Sequence, residues 1–463
     1  MSAITAAAPP MAAHTRRLLD GAIVPTLLRL AAPNVAVMMM QAVLTTADAF
    51  WVGHLGSDAL AGVSLVFPLV MLMQTMSAGG MGGGVASAVA RALGAGRRQD
   101  ATALVLHAAV IAVVMGVLFT VVLVGAGPAA YRAMGGRDGA LAAALTYSNV
   151  IFAGAVAPWL YNTLGSVVRG TGNMAVPASV MAISALLQLV LTPVLVLGLG
   201  GAPRLGLAGA GVSTVTAFGL GSALLIAYLL SGRSLVRLEL RGIRLRAALF
   251  ADILRVGAPG ALNTILTNLT VVMLTGLVGS FGTAALAGYG MGARLEYLQI
   301  PLVFGFGSAL VAMVGTNVGA GHLARAERIA WVGAALAASV TMAIGLAGAL
   351  APWLWLGIFT SDPSVLAAGA MYLRIVGPFY GFFGLGLALY FASQGAGRLL
   401  WPLVSGFIRM TVATAGGYLV TRGLGLDLPG LFAVMALALV CFGTTTTLAV
   451  RAGAWRRGRV HER

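Results

Sequence analysis

Along the chain, apolar stretches of about 20 residues or more alternate with short breaks rich in Gly, Pro and Arg. A helix needs roughly 20 apolar residues to cross a hydrocarbon core of ~30 Å. Twelve stretches qualify, at 30–52, 59–88, 102–126, 140–165, 174–199, 207–231, 257–279, 284–317, 329–349, 364–394, 400–421 and 428–450. The second, eighth and tenth exceed the required length, so tilt or kinks are expected there. The pattern predicts an all-α polytopic membrane protein with twelve transmembrane helices.

The pattern also repeats. LRLAAP at 28–33 returns as LRVGAP at 254–259, and VGHLGSDALAG at 52–62 as VGSFGTAALAG at 278–288. Gly94-Ala95-Gly96 returns as Gly319-Ala320-Gly321, and GTGNMAVP at 170–177 as GAGRLLWP at 395–402. The order and offset are kept, and each half holds six spans. An even number of crossings returns the chain to its starting side, so the two six-helix lobes share one orientation and a pseudo-two-fold axis along the membrane normal. The expected organisation is an N-terminal segment (1–24), an N-lobe with spans 1–6 (25–231), a linker (232–256), a C-lobe with spans 7–12 (257–450) and a tail (451–463).

Composition supports this reading. Of 463 residues, 59% are hydrophobic and 9% charged, against about 25% charged in a soluble domain. The net charge of +16 would suggest nucleic acid in a soluble chain. Here all 28 basic residues are Arg: 21 fall in segments on the side of the termini, four on the other side, and Arg294, Arg374 and Arg409 within spans. Arg is enriched in cytoplasmic loops of membrane proteins. Both termini and the linker are therefore expected to be cytoplasmic, the membrane is expected to be the bacterial inner membrane, and no nucleic-acid partner is required. The N-terminus does not read as a cleaved signal peptide, because Asp20 and Gly21 follow Arg16 and Arg17 too soon for an apolar core. Cys441, the single cysteine, excludes an intramolecular disulfide and a Cys-based metal cluster.

Carboxylates inside a membrane are costly and mark function by default. Only Asp48 and Glu296 lie inside spans. Asn34, Gln41, Thr45 and Asp48 are spaced 7, 4 and 3 apart, one face of a helix. A carboxylate facing the bundle interior can exchange a proton for a cationic ligand. The repeat sharpens this point, because the position matching Asp48 in the second half is Leu274. Glu296 reads either as a second coupling carboxylate or as a structural partner of its helix. Arg294, about 200° away around the helix, is poorly placed to pair with it. In the seventh span, Asn263, Thr267 and Asn268 read as lining a C-lobe cavity or as bonding between helices. The run Gly79-Gly80-Met81-Gly82-Gly83-Gly84 lacks the Gly-Lys-Ser/Thr of a phosphate loop and reads as close helix packing or a hinge. His107 reads as structural.

The chain resembles bacterial multidrug and toxic compound extrusion (MATE) transporters. The resemblance rests on Pro33 with Asp48 and VGHLG (52–56), LGAG (93–96), VGAG (318–321), RGTGN (169–173), GARLE (292–296) and SQGAGR (393–398), at matching places in both halves. It implies a twelve-helix fold in two lobes, a monomer, and export of organic, often cationic, compounds in exchange for inward H+ or Na+, with a cation- or proton-binding Asp in the first span. There are departures. Where one branch carries Asn-x-x-x-Asp-Pro, this chain has Gln188 and Thr192 before Pro193, and Leu44 stands for a Tyr. Where another branch has an acid eight residues after the seventh-span Pro, this chain has Thr267. A lone Asp among amides and hydroxyls suits H+ better than Na+. No cofactor is implied beyond that coupling ion. The alternatives are a lipid-linked oligosaccharide flippase of the same superfamily, which calls for a more basic cavity, and an integral membrane transferase, which calls for clustered acids.

Overall fold

A computed structural model describes residues 13–239 and 244–455. The outer parts of the N-terminal segment and tail, and part of the linker, lie outside the described residues. Eleven helices among the described residues are long and apolar enough to cross a membrane, and a bent pair supplies a twelfth. In chain order they are α1 (Ile23–Gly53), α2 (Ser57–Gly94), α3 (Arg98–Ala133), α4 (Asp138–Ala153 and Val156–Gly170, bent 48°), α5 (Ala175–Leu197), α6 (Leu207–Leu230), α7 (Ala247–Gly279), α8 (Thr283–Gly319), α9 (Leu323–Leu350), α10 (Pro363–Gly395), α11 (Leu400–Gly423) and α12 (Leu428–Arg451). The fold is the expected all-α one. α7 starts ten residues before its predicted apolar run, because Leu249, Ile253 and Val256 bury one face of its first turns.

The repeat is visible in the backbone. Gly56 and Gly282, each preceding the second span of its half, share a φ of 104°. Gly96 and Gly321 (φ 73° and 82°), and Gly172 and Gly397 (84° and 75°), repeat the same left-handed turns. Residues with a Cβ are strained at positive φ, so glycine recurs where each half turns in the same way.

The halves of the molecule nearest the Arg-rich side are zipped together. α2 changes to a π-turn over Met76–Met81, and its glycines then approach α7 backbone to backbone. A Cβ on Gly80 would stand 2.7 Å from Ala261 N, and one on Gly84 2.6 Å from Gly257 N. The glycine run is thus a packing device, as its lack of a phosphate-loop pattern suggested. Further toward the Arg-rich end, Arg91 of α2 pairs with Asp252 of α7 at 2.6 Å, and Ser87 donates to the Gln394 carbonyl of α10. The short helix Ala13–Asp20 bridges the lobes on this side, His14 bonding the Gly172 carbonyl and Asn317 donating to the Leu18 carbonyl at 3.0 Å. His107 ties α3 to the start of α7 by accepting from Arg246 N at 2.8 Å.

On the opposite side, among the described residues, apolar clusters stay within one lobe. One apolar cluster there, around Val52, Ala59 and Val196, draws only on the first lobe, and another, around Tyr289, Tyr372 and Phe432, only on the second. Clusters that mix lobes, such as Leu27 and Leu30 with Val303 and Leu310, lie toward the Arg-rich side. The lobes therefore enclose a cleft closed on the Arg-rich side and parted on the other.

Candidate functional site

The first polar centre forms where α1, α5 and α6 meet in the first lobe. Gln188 Nε2 donates to Asp48 Oδ2 at 2.6 Å and to Thr214 Oγ1 at 3.2 Å. Thr192 Oγ1 donates to Asp48 Oδ1 at 3.0 Å and lies 2.8 Å from Ser213 Oγ. Ser213 in turn reaches the Gln188 carbonyl at 3.4 Å. Gln188 and Thr192 are one helical turn apart on α5, so both point at one spot on α1. Thr192 and Ser213 are buried, whereas Asp48 is half-buried.

The hydroxyl chain can be satisfied in two ways. With Asp48 ionised, Thr192 donates to Asp48 and Ser213 donates to Thr192. With a proton on Asp48 Oδ1, the carboxyl donates to Thr192, Thr192 to Ser213, and Ser213 to the Gln188 carbonyl. Hydroxyls rotate at little cost, so each protonation state leaves every member of the chain bonded.

The second centre lies in the other lobe. Tyr372 of α10 donates to Glu296 Oε2 at 2.9 Å. Glu296, Tyr289, Tyr297, Thr270 and Arg409 line one pocket. The Arg409 guanidinium stands over the rings of Phe383 and Phe442, 5.9 and 5.5 Å from their centroids. Arg294 faces away, 5.3 Å over Phe359, as the i, i+2 geometry requires.

The third centre is the floor of the cleft, where the lobes part. Ala78, Gly79, Gly82 and Gly83 of α2, Ser166 and Arg169 of α4, Phe304 and Ser308 of α8, and Phe391 and Gln394 of α10 line it. Asn162 joins this floor to α2 by donating to Gln74 Oε1 at 2.9 Å and to Ser77 Oγ at 2.8 Å.

The sequence-derived residues divide among these centres. Asp48, Gln188 and Thr192 come together. Asn34, at the other end of the α1 stripe, donates to Ser308 of α8 at 2.6 Å and joins the lobes rather than lining the Asp48 cluster. Gln41, between them, is half-buried. The Thr45 side chain lies outside the described residues. Asn263, Thr267 and Asn268 are half-buried but bond mainly within α7: Thr267 donates to the Asn263 carbonyl at 2.9 Å and Asn268 to the Thr264 carbonyl at 2.9 Å. Neither bond crosses to another helix.

Three contributors were missed. Ser213 and Thr214 lie on a span whose small polar residues gave no signal among so many glycines and alanines. Arg169 reads in the sequence as a loop charge marking topology. Its side chain instead runs back along α4, donating to Ser166 Oγ at 2.8 Å and to the Asn162 carbonyl at 3.3 Å. Helical side chains lean toward the helix N-terminus, and at this C-terminal position that direction leads into the membrane.

Twelve spans in two repeated lobes, parted around a polar-floored cleft, define a membrane transporter architecture. The MatE family model matches residues 33–194 and 259–419, and the chain belongs to this family, the MATE transporters. It is therefore a multi-pass membrane transporter and not an enzyme, which removes the transferase alternative. A probable multidrug resistance protein NorM of Thermotoga maritima is 26% identical over 440 residues, covering 94% of this chain and 93% of the relative. An FAD transporter of Shewanella oneidensis is 27% identical over 441 residues, covering 91% and 94%. Among solved structures, a MOP superfamily transporter from Pyrococcus furiosus superposes with a TM-score of 0.89 at 23% identity, covering 97% of this chain and 100% of that one. An outward-facing multidrug resistance MATE transporter gives 0.87 at 24% identity, covering 96% and 99%. These likenesses establish the shared fold.

Proposed function

We propose that the protein is a secondary active exporter of the bacterial inner membrane that moves organic compounds, many of them cationic, outward in exchange for H+ by alternating access. The Arg-rich side and both termini face the cytoplasm, the two lobes rock as units, and one chain suffices. The cleft described above is then the outward-open state. The names of the relatives, several of them multidrug resistance proteins, support the substrate class.

The observation that carries the proton reading is the Asp48 cluster. Both carboxylate oxygens accept hydrogen bonds from donors, an amide and a hydroxyl. A hard cation such as Na+ needs oxygen acceptors turned inward, whereas a proton needs only a reversal of the hydroxyl chain. Entry of H+ from outside neutralises Asp48 and releases a cation held near it. Loss of the proton to the cytoplasm resets the carboxylate. Glu296 shares its pocket with Arg409, so its charge is matched within the lobe, and we assign coupling to Asp48.

Accumulation of ethidium in inside-out vesicles, driven by an imposed pH gradient with the lumen acid, tests this reading. Asp48→Asn keeps the shape and removes the titratable group. Gradient-driven accumulation is expected to fall to near the level seen without a gradient, because the variant has no carboxylate at that place to carry the proton. An Asp48→Asn protein that exports at the wild-type rate would sink the proposal.

A further inference from the structure

From the geometry of the cleft floor we infer that Arg169 is the anchor of an anion-binding subsite, so that compounds carried through the cleft include organic anions or zwitterions whose carboxylate or phosphate docks there. The inference rests on the reading of the protein as an exporter and specifies its substrate chemistry.

Arg169 is the next-to-last residue of α4, where a guanidinium has a short path to the aqueous interface. Instead its Nη2 reaches the carbonyl of Asn162, seven residues back, about 10 Å deeper along a helix rising 1.5 Å per residue. A guanidinium held at such depth pairs with carboxylates or with backbone carbonyls, and the Asn162 carbonyl is one such partner. Arg169 has no carboxylate partner among the described residues, where the acids that pair with arginines include Asp252, held by Arg91, and Asp100, held by Arg97 and Arg246. Its bonds go to a hydroxyl and a carbonyl, two of the five N–H donors that a guanidinium carries. The remaining donors are available to the cavity that Arg169 lines.

A second observation comes from the facing wall. Gln394 of α10 is 1% exposed and lines the same cavity. Its Nε2 donates to the Gly79 carbonyl at 3.0 Å, but its Oε1 is buried with no partner. The floor thus offers unused guanidinium donors on one lobe and an unused amide acceptor on the other. An anionic group bearing or adjoining a hydroxyl or N–H satisfies both. Phe304 and Phe391, whose rings meet edge to face at 5.7 Å, supply an apolar wall for the rest of such a molecule. The site is separate from the Asp48 cluster, which contains no basic side chain.

The test is equilibrium binding of carboxyfluorescein, read by fluorescence anisotropy, to the full-length protein in phosphatidylcholine nanodiscs. Ethidium is titrated in parallel, on the wild type, Arg169→Gln and Arg169→Lys. The wild type is expected to bind carboxyfluorescein. Arg169→Gln should weaken that binding by about tenfold or more, the scale of one charge-assisted bidentate contact, while ethidium affinity is unchanged or rises. Arg169→Lys, which keeps the charge without the fork, should retain part of it. Phosphatidylglycerol added to the nanodiscs separates the sources of the anion. Competition that depends on Arg169 points to a lipid headgroup, and its absence points to a soluble anion. The inference is overturned if wild-type nanodiscs bind no more dye than empty ones, if Arg169→Gln binds it equally, or if that variant loses ethidium to the same degree. No ion gradient is needed, so failure of coupling at Asp48 leaves this readout intact.

Discussion

Asp48 and Arg169 are both ionisable groups inside the membrane, and only one of them was legible in the sequence. An acid in an apolar run has few innocent explanations, so Asp48 stood out among twelve acids of which ten lie outside the predicted spans. Gln188 and Thr192 were legible only through resemblance, as the neutral residues occupying an amide and an acid position, and the fold brings both onto Asp48. Arg169 was hidden because an Arg near a span end ordinarily marks topology. Its inward direction depends on side-chain lean, which periodicity does not reveal. At this scale Thr192→Val is informative. It removes the hydroxyl that must reverse on protonation and costs roughly 1–2 kcal/mol of hydrogen bonding in a membrane setting. Coupled ethidium efflux is expected to slow several-fold with a displaced pH profile, while binding of ethidium persists. An unchanged pH profile would show that the hydroxyl chain takes no part in coupling.

At the scale of elements, hydrophobic runs located the spans, and the excess length of the second and tenth anticipated kinks there without placing them. The α4 bend, the π-turn in α2 and the 3-10 turn at Gly377–Phe379 in α10 all interrupt runs that read as continuous. They arise where small residues let helices adopt local geometry that neighbours then hold. The polar face of α1 reads as one stripe in the sequence, yet its ends serve different partners. Asn34 lies where the lobes touch and bonds α8, whereas Asp48 lies where they part and bonds α5. Gly84→Leu tests the zipper between α2 and α7. A Cβ there meets the backbone of Gly257 at 2.6 Å, and backbone cannot rotate out of the way. The lobes are expected to be held apart on the Arg-rich side. Maleimide labelling of Ser87→Cys, in a Cys441→Ser background, should then rise several-fold over the same protein with Gly84. Equal labelling would mean that this contact does not close the cleft.

For the molecule as a whole, two lobes built from one repeat supply the means for the alternating access proposed above. The lobes share a fold, so their surfaces can meet at either end of the membrane. Each state must be held by contacts of modest strength, since a few kcal/mol separates populated conformers. In the state described here those contacts lie on the Arg-rich side: the Arg91–Asp252 pair, the Ser87 bond and the glycine zipper. The sequence carried the repeat and the topology, because both are written in order and charge. It did not carry the conformation, since the same residues serve both states. The central claim is that this exchange is driven by protons through Asp48. It is tested most directly by wild-type ethidium efflux from proteoliposomes under separately imposed gradients: H+ without Na+, and Na+ at matched pH. Efflux driven by the H+ gradient alone is the expected result. Efflux that needs Na+ and ignores the pH gradient would contradict it.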